Sequence, residues 1–247
     1  MGAHAAIEAK DLGINFRRNR RGRRTVKDLF GGSSRRERPD TFWALRNVSF
    51  TVAQGEAIGV VGLNGQGKST LLRLVAGVLK PDEGSVTVHG GVAPLIEITG
   101  GFEGNLTVNE NIYIVAGLHG MRREEIARRF DSIIDFAELD DFVNTPFKHL
   151  SSGMKARLAF SVVSQLDERT LLVDEVLAVG DKTFRQKCFA RIEEMLGEGR
   201  TLFLVSHSAG NLRRFCSRGL YVDGGTLALD APITEVLRRY ARDYPTI

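Results

Sequence analysis

The sequence predicts an α/β fold with three parts: a core built on a parallel sheet, an antiparallel β flank, and an inserted block of helices. Three observations lead to this prediction. A glycine-rich loop at residues 62–67 joins a short apolar strand to a segment with helical apolar spacing. Short strand-like segments occur on both sides of that unit. Between residues 98 and 166 the spacing of apolar residues becomes helical.

The length of 247 residues allows one large domain or two small ones. We expect a single domain over residues 1–247, with its core at about 1–97 and 167–247 and a helical subdomain at about 98–166. The composition, 43% hydrophobic and 26% charged, is typical of globular proteins, and no apolar run approaches the ~20 residues of a membrane span. The first ten residues contain no apolar signal core, so we expect the protein to stay in the compartment where it is made.

The segments at residues 7–16, 42–52 and 85–90 are the predicted strands of the antiparallel flank. The first two are separated by a basic insertion at about residues 17–40, far longer than the turn that joins neighbouring strands in a compact domain. Nine arginines dominate it: Arg17, Arg18, Arg20, Arg21, Arg23, Arg24, Arg35, Arg36 and Arg38. Three interpretations stay open, namely a solvated mobile loop, an electrostatic contact to anionic lipid headgroups, and a nucleic acid-binding arm. No aromatic stacking platform accompanies the arginines, which weakens the third.

The glycine-rich loop fits the phosphate-binding pattern G-x-x-x-x-G-K-[ST] and has the strand before it and the helix after it that the pattern requires. Its glycines let successive backbone N–H groups point at an anion, and the helix N-terminus adds further donors. Lys68 is expected to reach the terminal phosphates of ATP, and the Ser69 hydroxyl to bind Mg²⁺. This predicts a P-loop NTPase (RecA-like) core. The predicted nucleotide-binding residues here are Gly62, Leu63, Asn64, Gly65, Gln66, Gly67, Lys68, Ser69 and Thr70.

The helical block begins with a capping box, because Thr107 is followed three residues later by Glu110. A second amphipathic stretch covers residues 123–136, and a third helix lies within 150–166. Since strands precede and follow this block, we interpret it as a subdomain inserted into the sheet core.

Polar residues follow two buried strands after the helical block. Asp174 and Glu175 come directly after an apolar strand, and His207 follows the next one. Because ligands bind at the carboxyl ends of parallel strands, we expect these side chains to converge on the phosphate loop. Asp174 suits the Mg²⁺ shell, Glu175 suits the general base for an attacking water, and His207 a hydrogen bond to the γ-phosphate.

In this order of motifs the chain resembles the nucleotide-binding subunits of ABC transporters. Residues 62–70 match the family's first phosphate motif, and residues 171–175 match the second. Residues 205–207 match the segment that contains the switch histidine. The string Leu-Ser-Ser-Gly-Met at 150–154 stands where the LSGGQ signature belongs. Residues 177–181 occupy the place of the D-loop. The resemblance covers nearly the whole chain.

The resemblance implies a head-to-tail homodimer with two ATP molecules at the interface. In the family the signature faces the γ-phosphate of the ATP bound by the other subunit, a role carried here onto Ser151, Ser152 and Gly153. The family's Q-loop glutamine, which contacts Mg²⁺, has its nearest counterpart at or beside Glu97.

The resemblance also implies an aromatic side chain that stacks on adenine. The basic insertion falls where the family has this residue, so Phe16 and Trp43 are both candidates.

Four stretches together, at residues 42–50, 95–102, 151–154 and 174–181, resemble ATPase subunits that export lipid-linked polysaccharides such as O-antigen, teichoic acid or galactan. This implies two ATPase subunits with two integral-membrane permease subunits, at the cytoplasmic face of the bacterial inner membrane, without a nucleic acid partner. Three alternatives stay open: an ABC ATPase that exports a drug or a small lipid, a soluble non-transport ABC ATPase, and an ATP-binding scaffold that does not hydrolyse ATP.

Overall fold

A computed structural model describes residues 4–17, 41–95, 100–174 and 181–245. Within these ranges the chain forms nine strands, seven α-helices and two short 3-10 helices, at Asp140–Phe142 and Phe147–His149. The strands are β1 (Ala5–Arg17), β2 (Thr41–Ala53), β3 (Ala57–Val61), β4 (Glu83–Val88), β5 (Val92–Leu95), β6 (Thr170–Val173), β7 (Thr201–Val205), β8 (Arg218–Asp223) and β9 (Thr226–Pro232). The helices are α1 (Lys68–Val75), α2 (Val108–Leu118), α3 (Arg123–Ala137), α4 (Ser152–Val163), α5 (Lys182–Gly197), α6 (Ala209–Phe215) and α7 (Ile233–Asp243).

The central sheet has six strands in the order β5-β6-β7-β3-β8-β9. The first five are parallel, and β9 turns back antiparallel to β8 through a tight hairpin at Asp223, Gly224 and Gly225. Every residue of β6 and β7 is buried, which explains their continuous apolar sequence. Polar side chains that follow β3, β6 and β7 therefore emerge at a single edge of the sheet.

A second sheet, in the order β2-β1-β4, is antiparallel and forms the predicted flank. Along the strands of the central sheet, successive side chains point to opposite faces of that sheet. Leu172 and Phe203 pack in the core shared with the flank and helix α1. Leu171 and Leu202, one position earlier, pack in the core shared with the helical subdomain. The central sheet is therefore covered by the flank on one face and by helices on the other.

The helical subdomain comprises α2, α3 and α4. The predicted capping box is present: Thr107 Oγ1 accepts a hydrogen bond from the backbone N–H of Glu110, whose carboxylate accepts one from the N–H of Thr107. Helix α3 is tied to the segment before β6 by Arg129, whose guanidinium donates to both carboxylate oxygens of Asp167 at 3.0 and 2.9 Å. This hydrogen bonding holds the pKa of Asp167 below its usual range.

Strand β5 and helix α6 are not indicated by the sequence pattern. Strand β5 has only four residues and contains Pro94, which donates no hydrogen bond, so its pattern is too short and too atypical to predict. Helix α6 has only seven residues. Both cysteines, Cys188 and Cys216, are free and buried, and burial raises the pKa of each thiol to about 12. Of the helices in the described ranges, none combines the length and the apolar character of a membrane span.

Candidate functional site

The loop between β3 and α1 owes its shape to glycines. Gly65 and Gly67 have φ values of +80° and +98°, which side-chain-bearing residues rarely adopt. A Cβ on Gly67 would also lie 2.6 Å from the carbonyl oxygen of Ala44 in β2. Helix α1 begins at the next residue, Lys68, so its N-terminal N–H groups open onto the loop. This is the backbone arrangement that binds phosphate groups.

Lys68 is the charged group of the loop. It is only 6% exposed, and its ammonium donates to the carbonyl oxygens of Gly62 and Leu63 at 2.7 and 2.8 Å. These bonds hold the cation at the mouth of the loop, where the terminal phosphates of a nucleotide would be its stronger partners.

A cavity of about 300 Å³ lies over the loop at the carboxyl edge of the central sheet. Asp174, directly after β6, and His207, two residues after β7, both line it. The predicted convergence of strand-end side chains on the phosphate loop is thus what the structure shows for these two. The lining residues are Phe16, Phe42, Ala44, Asn64, Gly65, Gly67, Lys68, Ser69, Thr70, Asp174, Val205 and His207.

Two side chains that line the cavity have oxygen atoms suited to bind a magnesium ion. The Ser69 hydroxyl and the Asp174 carboxylate both line it, and Mg²⁺ takes oxygen ligands and commonly uses one or two carboxylates. Three other predicted positions fall outside the residues that the structure describes: Glu97, Glu175 and the D-loop residues 177–180.

Of the two aromatic candidates for stacking on adenine, only one lines the cavity. Phe16 lines the cavity together with Phe42, and their ring centroids are 6.0 Å apart. Trp43 does not line it and instead lies beside Arg46, whose guanidinium is 4.7 Å from the indole centroid. Successive residues of β2 point to opposite faces, so Phe42 and Ala44 reach the cavity while Trp43 does not. Phe42, 42% exposed, was not singled out by the sequence analysis, although period-two alternation along β2 contains the signal.

The signature segment lies at the start of α4. Ser151 caps this helix, with its hydroxyl accepting a hydrogen bond from the N–H of Met154 at 3.2 Å. Ser151 and Ser152 are exposed, Gly153 is half-buried, and none of the three lines the cavity of its own chain. The N-terminus of α4 is therefore open to solvent and lies outside the cavity over the phosphate loop of the same chain.

An ion-pair cluster connects α4 with α5. The guanidinium of Arg157 in α4 donates to the carboxylates of Glu138 and Asp181 and lies 5.0 Å from the ring centroid of Phe184. Asp181 caps α5 by accepting a hydrogen bond from the N–H of Phe184 at 2.9 Å. The hydrogen bond from the Phe184 N–H lowers the pKa of Asp181 most, and the Arg157 guanidinium lowers it further. Asp181 lies at the end of the predicted D-loop, and no local sequence pattern indicates Arg157 as its partner.

Comparison with known proteins gives matches to a family model, to related sequences and to solved structures. The family model described as ABC transporter matches residues 45–178. The O-antigen export system ATP-binding protein RfbB of Klebsiella pneumoniae is 48% identical over 186 residues, which cover 75% of this chain and 76% of that protein. The teichoic acids export ATP-binding protein TagH of Staphylococcus epidermidis is 38% identical over 235 residues, covering 95% of this chain and 88% of that protein.

Solved structures agree on the fold. An ATP-binding subunit of an ABC transporter superposes with a TM-score of 0.75 at 22% identity, covering 96% of this chain and 93% of that chain. A dimeric ATP-binding cassette bound to ADP and Pi superposes with a TM-score of 0.73 at 21% identity, covering 92% of this chain and 98% of that chain. The predicted α/β architecture with an antiparallel flank and inserted helices is confirmed.

Proposed function

Because the chain belongs to the ABC transporter family and carries the family's ATPase domain, we propose that it hydrolyses ATP to power export of a lipid-linked polysaccharide across the cytoplasmic membrane. Relatives at 48% and 38% identity are named for O-antigen and teichoic acid export. Both names denote export of large cell-surface polymers, which supports this class over a drug or a small lipid. The single observation that carries the ATPase assignment is the cavity that gathers Lys68, Ser69, Asp174 and His207.

In the proposed mechanism, each side chain of the cavity has a separate task. Lys68 neutralises the β- and γ-phosphates, and His207 donates a hydrogen bond to a γ-phosphate oxygen. Ser69 and Asp174 would hold Mg²⁺, and the bound ion would supply positive charge that offsets the charge developing on the phosphoryl group. Glu175, the residue after Asp174, orients the attacking water and accepts its proton. Phe16 and Phe42 provide a surface against which adenine stacks.

Dimerisation completes the site in this proposal. The N-terminus of α4, with Ser151, Ser152 and Gly153, is exposed and lies outside its own cavity. Two subunits placed head to tail would each present this helix N-terminus to the γ-phosphate held by the other, where its N–H groups stabilise negative charge. Closure of the dimer would then depend on ATP.

The proposed partners are two copies of an integral-membrane permease, with the ATPase held peripherally at the cytoplasmic face of the inner membrane. Glu97, in the position of the Q-loop, is proposed to contact Mg²⁺ and to respond to the permease. The contact of the basic insertion with anionic lipid headgroups stays a prediction, because residues 18–40 lie outside the described part of the chain.

The test uses the purified protein together with the permease that copurifies with it. We expect magnesium-dependent ATP hydrolysis that falls to background in Lys68→Ala but not in Lys10→Ala, whose lysine is an exposed strand residue paired with Glu8. In cells, deletion of the chain should leave lipid-linked glycan on the cytoplasmic side. Unchanged glycan export with loss of drug or lipid efflux would select the second candidate. A large salt-dependent shift of the melting temperature on adding nucleic acid would select a non-transport ATPase instead.

A further inference from the structure

The turn between β8 and β9 lies directly against the phosphate loop. A Cβ on Gly225 would come within 2.8 Å of the Ala44 carbonyl oxygen, the same atom that a Cβ on Gly67 would approach to 2.6 Å. Both glycines have positive φ, +76° and +98°. The loop, the turn and strand β2 therefore meet at one carbonyl group, with no space for an additional side chain.

Gln66 joins the loop to this turn through its side chain. Its Oε1 accepts a hydrogen bond from the backbone N–H of Gly224 at 2.7 Å. The turn is held to β2 as well, since the N–H of Arg46 donates to the carbonyl of Gly225 at 2.9 Å. The Gln66 side chain is thus engaged with protein backbone on the side of the loop that faces the hairpin.

The end of helix α7 holds the β8–β9 turn in place. The Tyr244 hydroxyl donates to Asp223 Oδ1 at 2.9 Å, and Asp223 immediately precedes Gly224. The Tyr244 ring packs against Tyr240 with a centroid separation of 5.8 Å. Tyr240 packs edge-on against the buried Tyr221 of β8, also at 5.8 Å. Two hydrogen bonds, joined through the backbone of Asp223 and Gly224, therefore lead from α7 to the phosphate loop.

We infer that Gln66 is a positioning residue that fixes the phosphate loop on the β8–β9 turn, and that Tyr244 supports it by fixing Asp223. The end of α7 then influences how firmly the loop holds the phosphates. This inference rests on the proposed function, because the property it controls is nucleotide affinity.

The size of the effect follows from the two bonds. A single hydrogen bond in a folded protein has a net effect of about two- to tenfold on an equilibrium. Loss of the Gln66 bond releases the loop directly, so its effect on ATP affinity should be the larger. Loss of the Tyr244 bond acts through Asp223, so its effect should be smaller and in the same direction.

The experiment measures calorimetric binding of AMP-PNP with Mg²⁺, and the KM and kcat of ATP hydrolysis, on the full chain. The variants are Gln66→Met, which keeps the length but removes the acceptor, Tyr244→Phe, and the double variant. Tyr240→Phe is the matched control, because it removes a neighbouring tyrosine hydroxyl and keeps the ring stack. We expect Gln66→Met to raise Kd and KM about two- to tenfold, with KM affected more than kcat. Tyr244→Phe should raise Kd and KM by smaller factors. The double variant should bind AMP-PNP no more weakly than Gln66→Met alone.

Amide hydrogen exchange of residues 62–67 without nucleotide provides a second readout. Exchange should be faster in Gln66→Met and Tyr244→Phe and unchanged in Tyr240→Phe. If Tyr244→Phe matches Tyr240→Phe in both affinity and exchange, the support from α7 is wrong. If Gln66→Met binds and exchanges like the wild type, the anchoring role is wrong. Should Gln66→Met not fold, Gln66→Asn, one methylene shorter, replaces it.

The two readouts separate this inference from the proposed function. If the wild type does not bind AMP-PNP, the proposed function fails, and the exchange comparison still decides whether Gln66 and Tyr244 order the loop.

Discussion

Arg157 in helix α4 forms an ion pair with Asp181, the residue that caps helix α5. Helix α4 begins at the signature segment and belongs to the inserted helical subdomain, whereas α5 belongs to the sheet core. Asp181 also directly follows the segment 175–180, which contains the proposed general base. One guanidinium therefore links the segment that we propose to face a second subunit with the segment that follows β6 and holds the proposed general base.

We predict that Arg157→Ala destabilises the protein and slows ATP hydrolysis. Arg157 bonds two carboxylates and lies on the Phe184 ring, but both carboxylates are about half exposed, so we expect a loss of about 1 kcal/mol. Urea unfolding measures the stability and a coupled assay measures kcat. The control is Arg239→Ala, which breaks the exposed pair with Asp243 one helical turn away and should cost less stability than Arg157→Ala. Equal kcat values for the two variants would contradict the link.

We predict that Asp174→Asn increases the Mg²⁺ concentration needed for half-maximal hydrolysis, by about tenfold. An amide keeps an oxygen but lacks the charge that attracts a hard cation. The measurement is the rate as a function of Mg²⁺ at saturating ATP. Glu235→Gln, an exposed carboxylate on α7 outside the cavity, is the control and should keep the wild-type Mg²⁺ curve. An identical curve for Asp174→Asn would remove Asp174 from the metal shell.

We predict that Phe42→Ala weakens ATP binding about tenfold, while Phe42→Trp retains it. Stacking of a base on an aromatic ring contributes about 1–3 kcal/mol. Trp43→Ala tests the neighbouring residue, which points to the other face of β2, and should leave Kd within about twofold of the wild type. Calorimetric titration with ATP and with a triphosphate lacking the base separates stacking from phosphate binding. A larger loss in Trp43→Ala than in Phe42→Ala would reverse the assignment.

We predict that the Arg129–Asp167 pair contributes to acid sensitivity. The pKa of Asp167 is lowered in the folded protein, so the pair stabilises the fold above the ordinary aspartate pKa of 3.8 and loses its effect as the pH falls through the lower, folded-state value. Asp167→Asn should therefore make the free energy of unfolding less dependent on pH below about 4. Urea titrations at a series of acidic pH values measure this. A slope as steep as that of the wild type would contradict it.

We predict that replacing the arginines of the basic insertion with glutamines lowers glycan export and leaves basal ATP hydrolysis intact. The reason is that polybasic segments bind anionic headgroups with about 1 kcal/mol per side chain near the surface. Binding to vesicles with and without anionic lipid measures the contact directly. Full export by the substituted chain would exclude a role at the membrane.

The sequence is sufficient to predict the sheet edge at which the site forms. Apolar strands that are buried on both faces can carry polar chemistry only at their ends, so Asp174 and His207 are placed beside Lys68 without knowledge of distances. The contribution of Phe42 is harder to predict, because it depends on the face of β2 that is turned to the cavity. The bonds from Gln66 to Gly224 and from Arg157 to Asp181 join residues 158 and 24 positions apart, and no local pattern predicts such pairs.

The alternation of β2 also provides an optical probe. Trp43 is the only tryptophan in the chain, and it follows Phe42, which lines the cavity, while its own indole lies beside Arg46 on the opposite face. A nucleotide that stacks on Phe42 would not touch the indole, so a change in tryptophan emission on adding ATP would report a rearrangement around Trp43, within the flank or on closure of the dimer, rather than contact with the base. The intact chain thus carries a built-in fluorophore that can follow the response to ATP over time without a dye.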